Sequence, residues 1–243
     1  IFSHDEVDVS ALLYSKKRKV LTGVSFHRAK RENVFFDTWR QNVQEKLEAH
    51  APGYQVSLTS LSKDELKAVV LVSNDRARGT YYFYDVHLDK LTKLASLSPW
   101  LEEEHMAEMK PVKYTARDGL VIHGYLTLPV GVKAKNLPVV VNPHGGPWAR
   151  DFWGYKSEIQ FLANRGFAVF QMNFRGSTGY GRDFIERSFK QWGKDMQNDI
   201  SDGVEWLINE GIGDPNRIAI YGASYGGYAT LAGLTFTPEL YAC

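Results

Sequence analysis

Residues 218–236 read IAIYGASYGGYATLAGLTF, and this stretch decides how the rest of the chain is read. Ile218-Ala219-Ile220-Tyr221 has the β-branched, apolar character of a buried strand, and the run after Tyr225 is helix-forming. Between them Gly222-Ala223-Ser224-Tyr225-Gly226 fits G-x-S-x-G. That pattern makes a cramped turn that lifts a serine out of a strand and directly into a helix, leaving its hydroxyl exposed. The glycines are required because side chains there would collide with neighbouring backbone. Ser224 is therefore the candidate nucleophile.

A serine hydroxyl that attacks a carbonyl needs two hydrogen-bond donors aimed at the developing oxyanion. One is the backbone N–H of the residue after the nucleophile, Tyr225. The other is expected from a glycine-rich loop after an earlier strand. Val141-Asn142-Pro143-His144-Gly145-Gly146-Pro147 ends the apolar run PVVVN and supplies such a loop. His144 lies upstream of the serine, against the order nucleophile, acid, histidine usual for this type of elbow. Its ring is accordingly assigned a structural role.

From about residue 112 onward strands and helices alternate. VKYTARDGLVIHGYLTLP is a hairpin turning at Asp118-Gly119, and PVVVN and FAVFQMNF are buried strands. YKSEIQFLANRG and KDMQNDISDGVEWLINEG are helices, the second with Met196, Ile200, Val204 and Leu207 along one side. This succession predicts an α/β domain with an open, mostly parallel sheet. Its last strand is expected to have an edge without partners.

Residues 11 to about 96 follow a different grammar of short alternating or aromatic strands. Two groups of them superpose at an offset of 48, so that Val34-Phe35-Phe36-Asp37 meets Tyr82-Phe83-Tyr84-Asp85. A period in the forties with about four strands per unit is the spacing of β-propeller blades. After Asp37 one fourth strand is replaced by a helix whose Trp39, Val43 and Leu47 form an apolar stripe, with Gly53 ending the excursion. The aromatic strand GTYYFYDV is read as packing between blades, not as a ligand platform. LEEEHMAEMKP, residues 101–111, is an acidic connector, and Glu102, Glu103 and Glu104 are read as solvated, with no metal site assigned.

Composition bounds the partners. The 243 residues carry 29 Lys and Arg against 28 Asp and Glu, so no net field favours nucleic acid. The basic run Lys16-Lys17-Arg18-Lys19 is flanked closely by apolar strands and is read as an exposed turn. No run of 18 apolar residues is present to span a bilayer. The one cysteine, Cys243, leaves no internal disulfide and no cysteine-based zinc site. A cytoplasmic or a periplasmic location fits equally.

Together HGGP at 144–147, NFRGSTGYG at 173–181 and DPNRIAIYGASYGGYA at 214–229, behind a propeller-like segment, resemble the prolyl oligopeptidase family of serine peptidases. The wording is similar to its acylaminoacyl-peptidase and dipeptidyl-peptidase branches. The resemblance implies the end of a β-propeller over residues 1–104 and the first part of an α/β-hydrolase domain over 105–243. It implies short peptides as substrates, no cofactor, Ser224 as nucleophile, Gly146 and Tyr225 as oxyanion donors, and the Tyr225 side chain as part of the pocket for the residue before the cleaved bond. Arg175, Gly176, Gly179 and Gly181 match a motif of architectural role. The sequence departs from the family after Ser224, where no histidine and no aspartate follows and Glu239 is the only acid. The expectation is a piece of a longer chain, cut at both ends and inactive alone. A carboxylesterase-like hydrolase, or a catalytically dead interaction protein, is the rival reading.

Overall fold

The computed structural model describes residues 2–243. The chain divides into two compact units: residues up to 105 together with 154–156, and residues 106–153 with 157–243.

In the first unit, β1 (Val9–Ser15), β2 (Val20–His27) and β3 (Arg31–Phe35) form an antiparallel three-stranded sheet in sequence order. The basic run 16–19 is the turn between β1 and β2, and there Arg18 is tied to both Asp37 and Glu65. After β3 the chain enters helix α1 (Thr38–His50), capped by the Asp37 side chain, which accepts from the Arg40 N–H at 2.8 Å. Val43 and Leu47 of the apolar stripe are buried, and Trp39 packs beside them. Strands β4 (Gln55–Leu61), β5 (Lys67–Ser73), β6 (Thr80–Asp85) and β7 (Lys90–Ser96) then make a four-stranded antiparallel meander. The strands matched at the 48-residue offset, β3 and β6, are each third in their sheet. Their registers differ, however: Val24 faces Val34, whereas Val72 faces Thr80 and not Tyr82.

In the second unit, β8 (Met109–Thr115), β9 (Val121–Thr127), β10 (Leu137–Val141), β11 (Ala168–Asn173) and β12 (Gly213–Ile220) form one sheet in the order β12-β10-β11-β9-β8. Its helices are α2 (Ser157–Asn164), α3 (Arg182–Glu186), α4 (Asp195–Asn209) and α5 (Tyr225–Phe236). Only β10, β11 and β12 run parallel; β9 is antiparallel to both β11 and β8. The sheet is therefore mixed rather than mostly parallel. The β8–β9 hairpin, whose turn at Asp118-Gly119 is too short for a crossover, joins the parallel strands with β9 antiparallel to β11.

Alternation along β11 divides the core. Ala168, Phe170 and Met172 join Met196, Ile200, Val204 and Leu207 of α4, while Val169 packs with Ile159 of α2. The outer edge of β12 has partners at two positions, correcting the expectation of a bare edge. Ala242 N–H donates to the Ile218 carbonyl at 2.7 Å, and Ile220 N–H donates to the Cys243 carbonyl at 3.0 Å. The buried Tyr241 ring anchors this return after α5. Among the described residues no helix is long and apolar enough to cross a membrane.

Candidate active site

Two parallel strands end side by side and their exits are locked together. Tyr221 N–H donates to the Val141 carbonyl at 2.9 Å, and the Asn142 side-chain amide donates to the Tyr221 carbonyl at 2.8 Å. The segment leaving β12 and the segment leaving β10 therefore emerge at one place above the sheet.

Ser224 stands at the apex between β12 and α5 with φ 58° and ψ −124°. A non-glycine residue with positive φ is uncommon, and its strain persists only where the surroundings enforce it. Here the enforcement is close packing. A Cβ on Gly226 would lie 2.2 Å from the Pro143 carbonyl oxygen, and one on Gly222 would lie 2.7 Å from Gly226 and 2.8 Å from that same oxygen. The turn thus closes only with glycine at both positions. The Ser224 side chain makes no capping hydrogen bond to α5.

The HGGP loop lies directly against this serine. A Cβ on Gly145 would stand 3.3 Å from Ser224 Cβ and 3.8 Å from Oγ. Three covalent bonds separate that Cβ position from the Gly146 nitrogen, which is therefore within about 7.5 Å of Oγ. Gly146 itself has φ 127°, and the peptide to Pro147 is cis. Among the described residues, neither Gly146 N–H nor Tyr225 N–H finds a backbone acceptor in the surrounding turns and caps. Tyr225 opens α5, where the first N–H groups of a helix have no intrahelical partner.

The Tyr225 ring is 4% exposed and points into the domain, its hydroxyl 3.8 Å from Met196 Sδ. Burial pushes its pKa up. Phe174, Trp192 and Tyr228 surround it, with ring centroids at 5.3, 4.9 and 5.6 Å. Trp192 and Tyr228 are themselves partly exposed, so this cluster reaches the surface beside α5.

His144 is engaged at both ring nitrogens. Nδ1 is 2.7 Å from the Gly145 carbonyl and Nε2 is 2.8 Å from Ser177 Oγ, while the ring stacks on Phe174 at 4.4 Å. Sequence reasoning gave His144 a structural role but did not find its partners. Ser177 and Phe174 flank Arg175 in NFRGS, and Arg175 is fixed by a fork on the fully buried Asp199 at 2.7 and 2.9 Å, with a third contact to Asp118 at 2.9 Å. Burial works against the Arg175 charge, but the hydrogen bonds to Asp199 and Asp118 raise its pKa overall. The signal for Asp199 was an acid between Met196 and Ile200, on the face of α4 that the sequence marks as buried.

No group among these residues resembles a metal centre. Elsewhere Glu102, Glu104 and His105 bring ligand atoms within 4.8 Å of one another, but all three are exposed.

The mixed sheet, the helices around it and the serine elbow define an α/β-hydrolase-like fold. Residues 153–243 match the model of the prolyl oligopeptidase family, and the chain belongs to that family. It is 45% identical over 206 residues to dipeptidyl aminopeptidase BIII of Pseudoxanthomonas mexicana, covering 82% of this chain and 30% of that protein. It is 33% identical over 213 residues to dipeptidyl peptidase family member 6 of Caenorhabditis elegans, covering 79% of this chain and 29% of the relative. A puromycin-hydrolyzing peptidase of Mycobacterium tuberculosis superposes with a TM-score of 0.72 at 26% identity, over 90% of this chain and 34% of that structure. The chain thus spans about 30% of the length of the curated relatives it matches.

Proposed function

We propose that this chain is part of a serine peptidase that cleaves short peptides through an acyl-enzyme on Ser224. The observation that carries the reading is the strained Ser224 backbone with the Gly145-Gly146 loop packed against its hydroxyl. Ser224 Oγ attacks the carbonyl carbon of the scissile bond and gives up its proton to a base. The oxyanion is held by the N–H groups of Gly146 and Tyr225. The base returns the proton to the leaving amine, and water then hydrolyses the ester by the same route in reverse. The Tyr225 side chain forms the inner wall of the pocket for the acyl residue.

The base and its orienting acid come from outside these 243 residues. No histidine or aspartate follows Ser224, and His144 is committed to Gly145 and Ser177. The sheets β1–β3 and β4–β7 are the last blades of a β-propeller, and residues 105–243 are the first part of the catalytic domain. The 48-residue offset, the split into two compact units after residue 105 and the family match over residues 153–243 support this division.

Peptidase turnover of the full-length protein on a peptide amide and on a short-chain ester tests the reading. Peptide hydrolysis lost on Ser224→Ala is expected, with none by residues 1–243 alone. Ester turnover without amide turnover would make the protein a carboxylesterase. Full amide turnover in Ser224→Ala would remove the nucleophile.

A further inference from the structure

The first unit contains a cavity of about 530 Å³, far from the elbow in sequence. It is framed by the turn after α1, by the β5–β6 loop, and by the residues following β7. This volume lies within the range of small-molecule sites. Val72, Tyr82 and Leu101 supply apolar wall, and the charged lining is unbalanced: Arg76, Arg78 and Lys93 against the single carboxylate of Glu103.

That carboxylate is already fully used. Oε1 accepts from Asn74 Nδ2 at 2.6 Å and lies 3.2 Å from Arg76, while Oε2 accepts from the Tyr54 hydroxyl at 2.5 Å. Arg76 is therefore neutralised, and the two remaining cations are not. Arg78 donates only to Ser98 Oγ, at 3.2 Å, leaving most of its five N–H donors free. Among the described residues Lys93 has no acidic partner within 4.0 Å. On the same lining, Thr80 Oγ1 and Ser96 Oγ lie 3.0 Å apart. One hydroxyl proton is spent between them, so the other is available to a ligand. Donors outnumber acceptors in a concave, partly apolar site.

We propose that this cavity binds the carboxylate of a small organic anion, namely the free C-terminus of a short peptide. The guanidinium of Arg78 takes the carboxylate oxygens, Lys93 adds the second positive charge, and the Tyr82 face carries the apolar part of the ligand. The choice of a peptide rests on the peptidase reading; the choice of an anion rests on the cavity alone. A bare phosphate would meet the two cations but leave the apolar wall unused.

Calorimetric titration of the full-length protein carrying Ser224→Ala tests this with three probes: an N-acetyl dipeptide acid, the same dipeptide as its C-terminal amide, and inorganic phosphate. The acid is expected to bind at least ~10-fold tighter than the amide, since only the acid offers Arg78 and Lys93 a charge-assisted pair. That preference is expected to vanish in Arg78→Gln/Lys93→Gln. Both side chains are exposed, so the variant folds as the parent does, which its circular dichroism and melting temperature check. Equal affinity for acid and amide, a preference that survives the double substitution, or binding of phosphate alone would overturn the proposal. Failure of the peptidase reading appears separately, as absence of hydrolysis by the unsubstituted protein.

Discussion

His144 Nε2 lies 2.8 Å from the hydroxyl oxygen of the fully buried Ser177, and this pair ties the loop that carries Gly145 and Gly146 to the NFRGS segment. The Gly145 carbonyl accepts only, so Nδ1 donates to it, and the Ser177 hydroxyl, which donates to the Phe174 carbonyl at 2.7 Å, is held between that acceptor and the His144 ring. With the ring also stacked on Phe174, His144 acts as a strut under the loop that faces Ser224.

On the proposed mechanism, removing the strut should displace the Gly146 N–H from the oxyanion while leaving substrate binding in place. In the full-length protein, His144→Ala is expected to lower kcat by up to the loss of one oxyanion donor, about 2.7–4 kcal/mol in the barrier. KM should change little. Steady-state kinetics on one peptide amide decide this, and an unchanged kcat would show that the loop holds its place without His144.

The packing around the elbow predicts a sharp contrast between adjacent glycines. Gly226→Ala puts a Cβ 2.2 Å from the Pro143 carbonyl oxygen, whereas Gly227→Ala meets nothing closer than 3.3 Å, the Gly222 carbonyl oxygen. The first should destabilise by at least the ~1–3 kcal/mol of an overpacked site and abolish turnover; the second should cost well under that. Melting temperatures and kcat of the two variants give the comparison.

Under the same loop, Arg175 and Asp199 form a buried pair whose members are useful only together. Asp199→Ala leaves the Arg175 guanidinium, 4% exposed, without its main counter-charge. The expected cost is about 3–5 kcal/mol in urea unfolding. Replacing both by apolar residues of similar size should cost clearly less than the single change.

These sites show what the sequence made legible and what it did not. The elbow was readable because strand, glycine turn and helix are consecutive, and α1 because Trp39, Val43 and Leu47 recur at helical spacing. The hairpin at Asp118-Gly119 was legible, but the antiparallel pairing of its second strand, β9, with β11 was not, because it joins segments far apart in sequence. Asp199 and Ser177 went unassigned because their partners, Arg175 and His144, lie 24 and 33 residues away, and a contact at that separation leaves no periodic trace. The return of Ala242 and Cys243 along β12 was hidden for the same reason.

Asp37 offers a pH test in the first unit. Its carboxyl is held below the ordinary range chiefly by the Arg18 hydrogen bond, helped by the Arg40 backbone N–H. A lowered folded-state pKa contributes stability that is present above about pH 4, the unfolded value, and is lost as pH falls through the folded value. Asp37→Asn should keep most of the helix cap, lose the ion pair, and show a shallower loss of stability below pH 4 than the parent. Denaturation midpoints across pH 2–7 measure it; parallel curves would mean Asp37 contributes no pH dependence.

The central claim is that Ser224 is the nucleophile, and one labelling experiment addresses it most directly. The full-length protein is treated with a fluorophosphonate probe, digested, and the modified peptide identified by mass spectrometry. The account predicts a single stoichiometric adduct on Ser224, formed in parallel with loss of peptidase turnover and absent from Ser224→Ala. An adduct on another residue that accompanies full inactivation, with Ser224 unmodified, would contradict it.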